Sequence, residues 1–114
     1  MNVIADVCIV PIGVGTSVAE EIALCQRVFT DAGLNIHLHA YGTNLEGEWD
    51  VVFSAIKHCH ELLHSHGIAR LSTSIKVGTR TDKPQTMRDK VQRVQRILES
   101  EPPPAPSQPN PSAS

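Results

Sequence analysis

The chain has 114 residues, of which 19% are charged, and a formal net charge of -2 at pH 7. This length predicts one small domain, and the sequence contains no apolar run long enough to predict a membrane span. The apolar N-terminus has no basic leader, so we expect a strand there and not a targeting segment. Three cysteines without a C-x-x-C spacing are typical of free thiols in a reducing compartment, and we therefore expect a cytoplasmic protein.

The first part of the chain has the pattern of a strand followed by a helix. Residues 3–12 are β-branched and apolar apart from Asp6, which predicts a central strand that ends near Pro11. A GVGTS turn comes next, and a Ser17–Glu20 capping box predicts the start of a helix that Gly33 ends. An anion held by the glycine-rich turn is the alternative interpretation, but the phosphate-binding lysine and the third glycine of known motifs are missing.

The middle of the chain predicts a hairpin and a second helix. Residues 35–43 alternate strictly between apolar and polar side chains, as a strand does. We expect a turn at residues 42–44, a short strand at 45–47, and a helix over residues 49–66 that Gly67 ends.

The last part predicts a long strand over residues 70–82 and a helix from residue 83 or 84 to Leu98, capped by Asp82 with Gln85. The order βαββαβ with an extra C-terminal helix predicts an α+β protein of the ferredoxin-like class, with helices on one face of a four-stranded antiparallel sheet. We therefore expect a ferredoxin-like domain over residues 1–98. Residues 99–114 are rich in proline and serine, which predicts a disordered tail.

The last predicted strand is longer than its expected hairpin partners. An overhanging strand exposes unpaired backbone groups, and pairing with another subunit is the simplest way to satisfy them. We therefore expect a homo-oligomer, with two-fold symmetry as the first guess.

The stretch HELLHSHG at residues 60–67 matches the H-E-x-x-H pattern of zinc proteases. The third ligand of the extended signature would fall at Arg70, a cation that would repel the metal. His37 and His39 form an H-x-H pair, for which hydrogen bonding is favoured over a ligand-lining or metal-binding role. Because no catalytic triad or close acid pair stands out either, we expect no metal, no cofactor and no enzymatic activity.

The region from residue 70 to residue 96 is basic, which raises the alternative of a nucleic-acid partner. The chain has only two Phe, one Tyr and one Trp, so it lacks an aromatic strand on which bases could stack. A solvated helix face explains the basic side chains more simply, and we expect neither a nucleic-acid nor a membrane partner.

Four stretches of the chain resemble the YkoF-like family of thiamine-binding proteins. They are ADVCIVPIG near the start, GTNLEG at residues 42–47, the HE pair of the second helix, and STSIKVGTRTDK at residues 72–83. The resemblance implies a ferredoxin-like fold and dimers that pair into tetramers. It also implies a pocket near subunit contacts that binds thiamine, or its hydroxymethylpyrimidine part, without chemistry.

Matching the motifs of this family gives the candidate ligand-binding residues. GTNLEG contributes Thr43, Asn44 and Glu46, and the last strand contributes Ser74, Lys76 and Arg80. Tyr41 would stack on a flat ring, and Asp6 would either bind ligand or form a structural pair with Lys76 or Arg80, since an isolated buried charge is costly. The alternative function is a structural or regulatory assembly module with no physiological small ligand.

Overall fold

The computed structural model describes residues 1–15, 18–82 and 86–100, and it divides into two units between the last strand and the last helix. The order βαββαβ plus a helix is the predicted one. Its elements are β1 (Asn2–Ile12), α1 (Ala19–Asp31), β2 (Asn35–His39), β3 (Gly42–Glu48), α2 (Trp49–Ser65), β4 (Arg70–Gly78) and α3 (Met87–Ser100).

The four strands form one antiparallel sheet in the order β2-β3-β1-β4. The predicted ferredoxin-like α+β fold is thereby confirmed. Because side chains alternate along a strand, Val3, Ala5 and Val7 share one face of β1, and all three are buried in the core with α1 and α2. We call this side of the sheet the helix face.

Each helix of the first unit buries one apolar stripe against the helix face. The buried residues of α1 are Cys25, Val28 and Phe29, and those of α2 recur at the same helical spacing from Val52 to Leu63. Gly33 and Gly67 follow the two helices with φ angles of 78° and 93°, as expected of helix-ending glycines. The start of α1 has Val18 at its N-cap without a side-chain cap, and Ser17 of the predicted capping box lies outside the described residues.

The opposite side of the sheet, which we call the open face, carries the even-numbered residues of β1. Asp6 stands opposite Asn44 on β3 and opposite Lys76 on β4, so these three side chains project from the same side of the sheet. Neither α1 nor α2 covers this face. Val10 and Ile12 are therefore 46% and 45% exposed although both are apolar.

Strands β1 and β4 extend together beyond the rest of the sheet. The pairing of β1 with β3 stops at Val7, whereas its pairing with β4 continues to Ile12 opposite Arg70. The overhang expected from the sequence is therefore shared by two strands, and β4 ends at Gly78 instead of reaching residue 82. In the described part of the chain, one edge of residues 8–12 has no strand beside it.

The hairpin turn lies earlier than predicted. Residues 40 and 41 form the turn, and Gly42, Thr43 and Asn44, which we expected in the turn, belong to β3. His39 and Gly42 face each other as the last pair of the β2–β3 ladder. The prediction placed the turn too late because the alternating pattern continues through Ala40 and Tyr41.

Helix α3 begins at Met87, later than predicted, and ends at Ser100. Thr86 and Asp89 cap it reciprocally, with each backbone N–H donating to the other's side chain at 3.1 and 3.0 Å. The predicted Asp82–Gln85 cap involves Gln85, which lies outside the described residues, as do residues 101–114 of the predicted tail. The apolar stripe of α3 is exposed at Val91 and Leu98.

Candidate functional site

A partly open cavity of about 280 Å³ lies between α1, the second half of β1 and the β2–β3 hairpin, mainly on the helix face and reaching the edge of the sheet at Cys8 and Val10. Most of its wall is apolar. The principal apolar side chains are Val7, Ile9, Ile22, Phe29, Leu38 and Leu63. The polar residues that line it are Glu21, Gln26, His39, Tyr41 and Thr43.

The unpaired edge of β1 forms part of this cavity. Residues 8–10 line it, and β3 runs alongside β1 only as far as Val7. An extended strand directs its N–H and C=O groups alternately to its two sides, and β4 occupies only the other side. The cavity therefore offers main-chain donors and acceptors in addition to its side chains.

The polar pair Gln26 and Thr43 marks the inner part of the cavity. Thr43 is only 5% exposed, and its Oγ1 accepts a hydrogen bond of 2.9 Å from Nε2 of Gln26. Since the carboxamide nitrogen is the donor in this contact, the carboxamide oxygen of Gln26 is the atom that can accept a hydrogen bond from a ligand. The helix and the hairpin thus present one fixed polar group inside an apolar wall.

The rim of the cavity is organised by the hairpin turn. Nε2 of His39 contacts Oδ1 of Asp6 at 2.7 Å, and the backbone N–H of Tyr41 donates to Nδ1 of the same ring at 3.3 Å. Because Nδ1 accepts, Nε2 carries the proton that is donated to Asp6. Tyr41 is 87% exposed at the rim, where its ring is available to cover a bound molecule.

The structure separates the sequence-predicted site residues into groups. Thr43 and Tyr41 belong to the cavity on the helix face. Five others lie on the open face: Asp6, Asn44, Glu46, Ser74 and Lys76. A smaller depression of about 180 Å³ lies there, lined by Asp6, Cys8, Ser74, Ile75 and Lys76.

Arg80 belongs to neither group. It follows β4, and its guanidinium donates to both carboxylate oxygens of Asp82 at 2.5 and 2.8 Å. This hydrogen bond raises the pKa of Arg80. Of the two partners considered for Asp6, Lys76 is its cross-strand neighbour, but the carboxylate contact that the structure shows is with His39.

The sequence did not predict a binding role for the two polar α1 residues that line the cavity, Glu21 and Gln26. Both lie beside the apolar stripe of α1, where helical periodicity does not distinguish a cavity wall from the solvated side. Gln26 follows the buried Cys25, so it lies at the border between the buried and solvated sides of α1. A polar residue at such a border is the sequence signal that could have indicated a cavity wall.

Cys25 also lines the cavity, and it contacts a second buried thiol, Cys59 of α2. Sγ of Cys59 lies 4.0 Å from the carbonyl oxygen of Cys25. A side-chain hydrogen bond between the two thiols lowers the pKa of Cys25 and, together with burial, raises that of Cys59.

The histidines of HELLHSHG have structural partners. Nε2 of His60 contacts Oγ1 of Thr73 on β4 at 2.5 Å, and Nδ1 of His64 contacts the carbonyl oxygen of Ile68 at 2.8 Å. The first contact ties α2 to β4, and the second ties it to the loop that precedes β4. Within residues 1–15, 18–82 and 86–100, no group of three or more His, Cys, Asp or Glu side chains is arranged to hold a metal ion.

A family model described as thiamine-binding protein matches residues 5–95. The chain belongs to the thiamine-binding protein family. The description of this family is that of a binding protein. In the described part of the chain, no helix is both long enough and apolar enough to cross a bilayer.

Individual relatives of the family match most of the chain. The UPF0045 protein sll0230 of Synechocystis is 55% identical over 100 residues, which are 88% of this chain and 83% of that protein. The UPF0045 protein ECM15 of Eremothecium gossypii is 37% identical over 86% of this chain and 94% of its own. The crystal structure of MJ1052 from Methanocaldococcus jannaschii superposes with a TM-score of 0.76 at 32% identity, covering 82% of this chain and 96% of that one.

Proposed function

We propose that this protein binds thiamine, or its hydroxymethylpyrimidine part, in the cavity on the helix face and performs no chemistry on it. The observation that carries the proposal is the cavity itself, in which an apolar wall, one fixed polar pair and an unpaired strand edge converge. Small-molecule pockets usually measure about 300–1,000 Å³. A volume of about 280 Å³ suits a ligand built on one substituted ring better than a large cofactor.

The cavity matches the chemistry of an aminopyrimidine. Such a ring has two flat faces, an amino group that donates hydrogen bonds and ring nitrogens that accept them. The carboxamide oxygen of Gln26 and the carbonyl groups of residues 8–10 would accept from the amino group. Main-chain N–H groups of the same edge would donate to a ring nitrogen, and Phe29 and Tyr41 would contact the faces. Glu21, which lines the cavity, would supply a carboxylate to the cationic thiazolium ring of thiamine.

We also propose that the protein is cytoplasmic. For its quaternary structure we propose a homo-oligomer, a dimer of dimers, in which the cavity lies near a contact between subunits. Two observations support it: the unpaired edge of residues 8–12 borders the cavity, and the exposed Val10 and Ile12 stand on the adjoining open face. The motif residues of the open face would then serve the contact between subunits. The same exposed surface favours the second candidate function, an assembly module without a small ligand.

Calorimetric titration with thiamine and with hydroxymethylpyrimidine tests the ligand directly. We expect binding by the wild-type protein, and a Kd weakened roughly two- to tenfold by Gln26→Leu, because one neutral hydrogen bond contributes about 0.5–1.5 kcal/mol. Glu46→Gln is the matched control on the open face, since it keeps the oxygen that accepts from Asn35 and should leave Kd unchanged.

Two results would refute the proposed site. The absence of heat with both ligands at millimolar concentration would leave the assembly module as the function. Weaker binding in Glu46→Gln, with Gln26→Leu unaffected, would move the site to the open face. Circular dichroism of each variant confirms that the fold is retained.

A further inference from the structure

Cys25 and Cys59 form a buried dithiol between α1 and α2. Both thiols are free and buried, and Sγ of Cys59 lies 4.0 Å from the main-chain carbonyl oxygen of Cys25, to which it donates. Because the Cys59 sulfur already lies beside the backbone of Cys25, we expect the two thiols to join by a local side-chain rearrangement, whereas cysteines far apart would require the backbone to move.

The two thiols differ in access. Cys25 lines the cavity, and Cys59 is fully buried behind it, outside the lining. Of these two thiols, a reagent of nearly the size of water that enters the cavity therefore reaches Cys25 and not Cys59. Cys59 can react only with what forms on Cys25.

The two thiols also differ in reactivity. The hydrogen bond from Cys59 favours the thiolate of Cys25 and lowers its pKa, whereas donation of this hydrogen bond and burial raise the pKa of Cys59. The thiolate is the nucleophilic form of cysteine, so access and ionisation both select Cys25 as the attacking group.

We propose that Cys25 and Cys59 are a peroxide-reactive pair, in which Cys25 is oxidised through the cavity and Cys59 then closes a disulfide between α1 and α2. In the first step the Cys25 sulfur forms a bond to one oxygen of hydrogen peroxide, the O–O bond breaks, and one water leaves. In the second step the Cys59 sulfur attacks the sulfenic acid, and a second water leaves. Two thiols are oxidised by the loss of two hydrogens, and one peroxide is reduced to two waters.

Such a pair fits a reducing compartment, where disulfides are rare and those that form transiently are catalytic or redox-sensing. The disulfide would replace a free thiol in the cavity wall and fix α1 to α2. The shape of the cavity would therefore depend on whether Cys25 and Cys59 are reduced or oxidised. The reaction needs no bound ligand, and its test is independent of the proposed function.

The test treats the reduced, folded, full-length protein with hydrogen peroxide, blocks remaining thiols after denaturation, and maps the peptides by mass spectrometry. We expect the loss of two of the three thiols and a peptide pair joined through Cys25 and Cys59. In Cys59→Ala, oxidation should stop at a sulfenic acid on Cys25 that dimedone captures. In Cys25→Ala, Cys59 should stay reduced. Cys8→Ala is the matched control and should form the disulfide as the wild type does.

The third thiol makes the proposal falsifiable on the wild-type protein alone. Cys8 is half-buried and also lines the cavity, so it is exposed to the same reagent. A disulfide that joins Cys25 to Cys8, or complete oxidation of Cys8 while Cys25 remains a thiol, would overturn the proposal even if the variants failed to fold.

Discussion

Gly42 allows the β2–β3 hairpin to approach β1 closely at the rim of the cavity. A Cβ atom on this residue would stand 2.7 Å from the carbonyl oxygen of Val7 and 3.3 Å from Oδ1 of Asp6. The first contact is with backbone, which cannot rotate away as a flexible side chain can. The side chain of residue 42 therefore controls how tightly the hairpin closes on the sheet.

We predict that Gly42→Ala lowers the free energy of unfolding by about 1–3 kcal/mol, the usual cost of forcing extra volume into a packed site. Gly78→Ala is the matched control, because a Cβ there meets nothing within 4 Å, and it should be neutral or stabilise the protein slightly. Urea unfolding measures both. Equal effects of the two substitutions would contradict the close approach at Gly42.

Thr43 and Asn44 show what a motif can and cannot predict at the residue scale. Both come from GTNLEG, and the sequence suggested that they act together on one ligand. Consecutive residues of a strand point to opposite faces, so Thr43 enters the cavity and Asn44 stands opposite Asp6 on the open face. Their separation became visible only once the strand was known to begin at Gly42.

At the scale of elements, periodicity was sufficient to predict the type and order of every helix and strand, but not the position of the β2–β3 turn or the bounds of β4 and α3. Helices α1 and α2 were predictable because each has an apolar stripe that is followed by a glycine, Gly33 or Gly67. The turn at Ala40 and Tyr41 contains no glycine, and neither residue has a positive φ, so the composition carries no turn signature. The length of β4 was overestimated because polar alternation continues past Gly78.

The two-stranded extension of β1 and β4 is the element that we expect to mediate self-association. Light scattering of the purified protein should give a mass that is a multiple of the monomer's, because an unpaired apolar strand edge is rarely left in solvent. Val10→Glu should lower that mass, since it places a charge on the exposed side of the extension. Val51→Glu, on the exposed side of α2, is the matched control and should leave the mass unchanged. A monomeric wild-type protein would contradict the quaternary proposal.

At the scale of the whole molecule, the sheet separates two surfaces with different chemistry. The helix face holds a mostly apolar cavity with a few fixed polar groups, whereas the open face carries exposed polar strands beside Val10 and Ile12. The family was recognisable from sequence because its motifs lie along most of the chain. The position of the cavity could not be predicted from the sequence, because it depends on how α1 packs against β1 and on where β3 ends. We propose that ligand binds at the helix face and that subunits contact each other through the open face.

The measurement that tests this assignment most directly is a crystal structure of the protein grown with saturating hydroxymethylpyrimidine. We predict ordered ligand density in the cavity, with the amino group beside the carboxamide oxygen of Gln26 and the ring between Phe29 and Tyr41. Ligand density on the open face between Glu46 and Lys76, together with an empty cavity, would contradict this assignment.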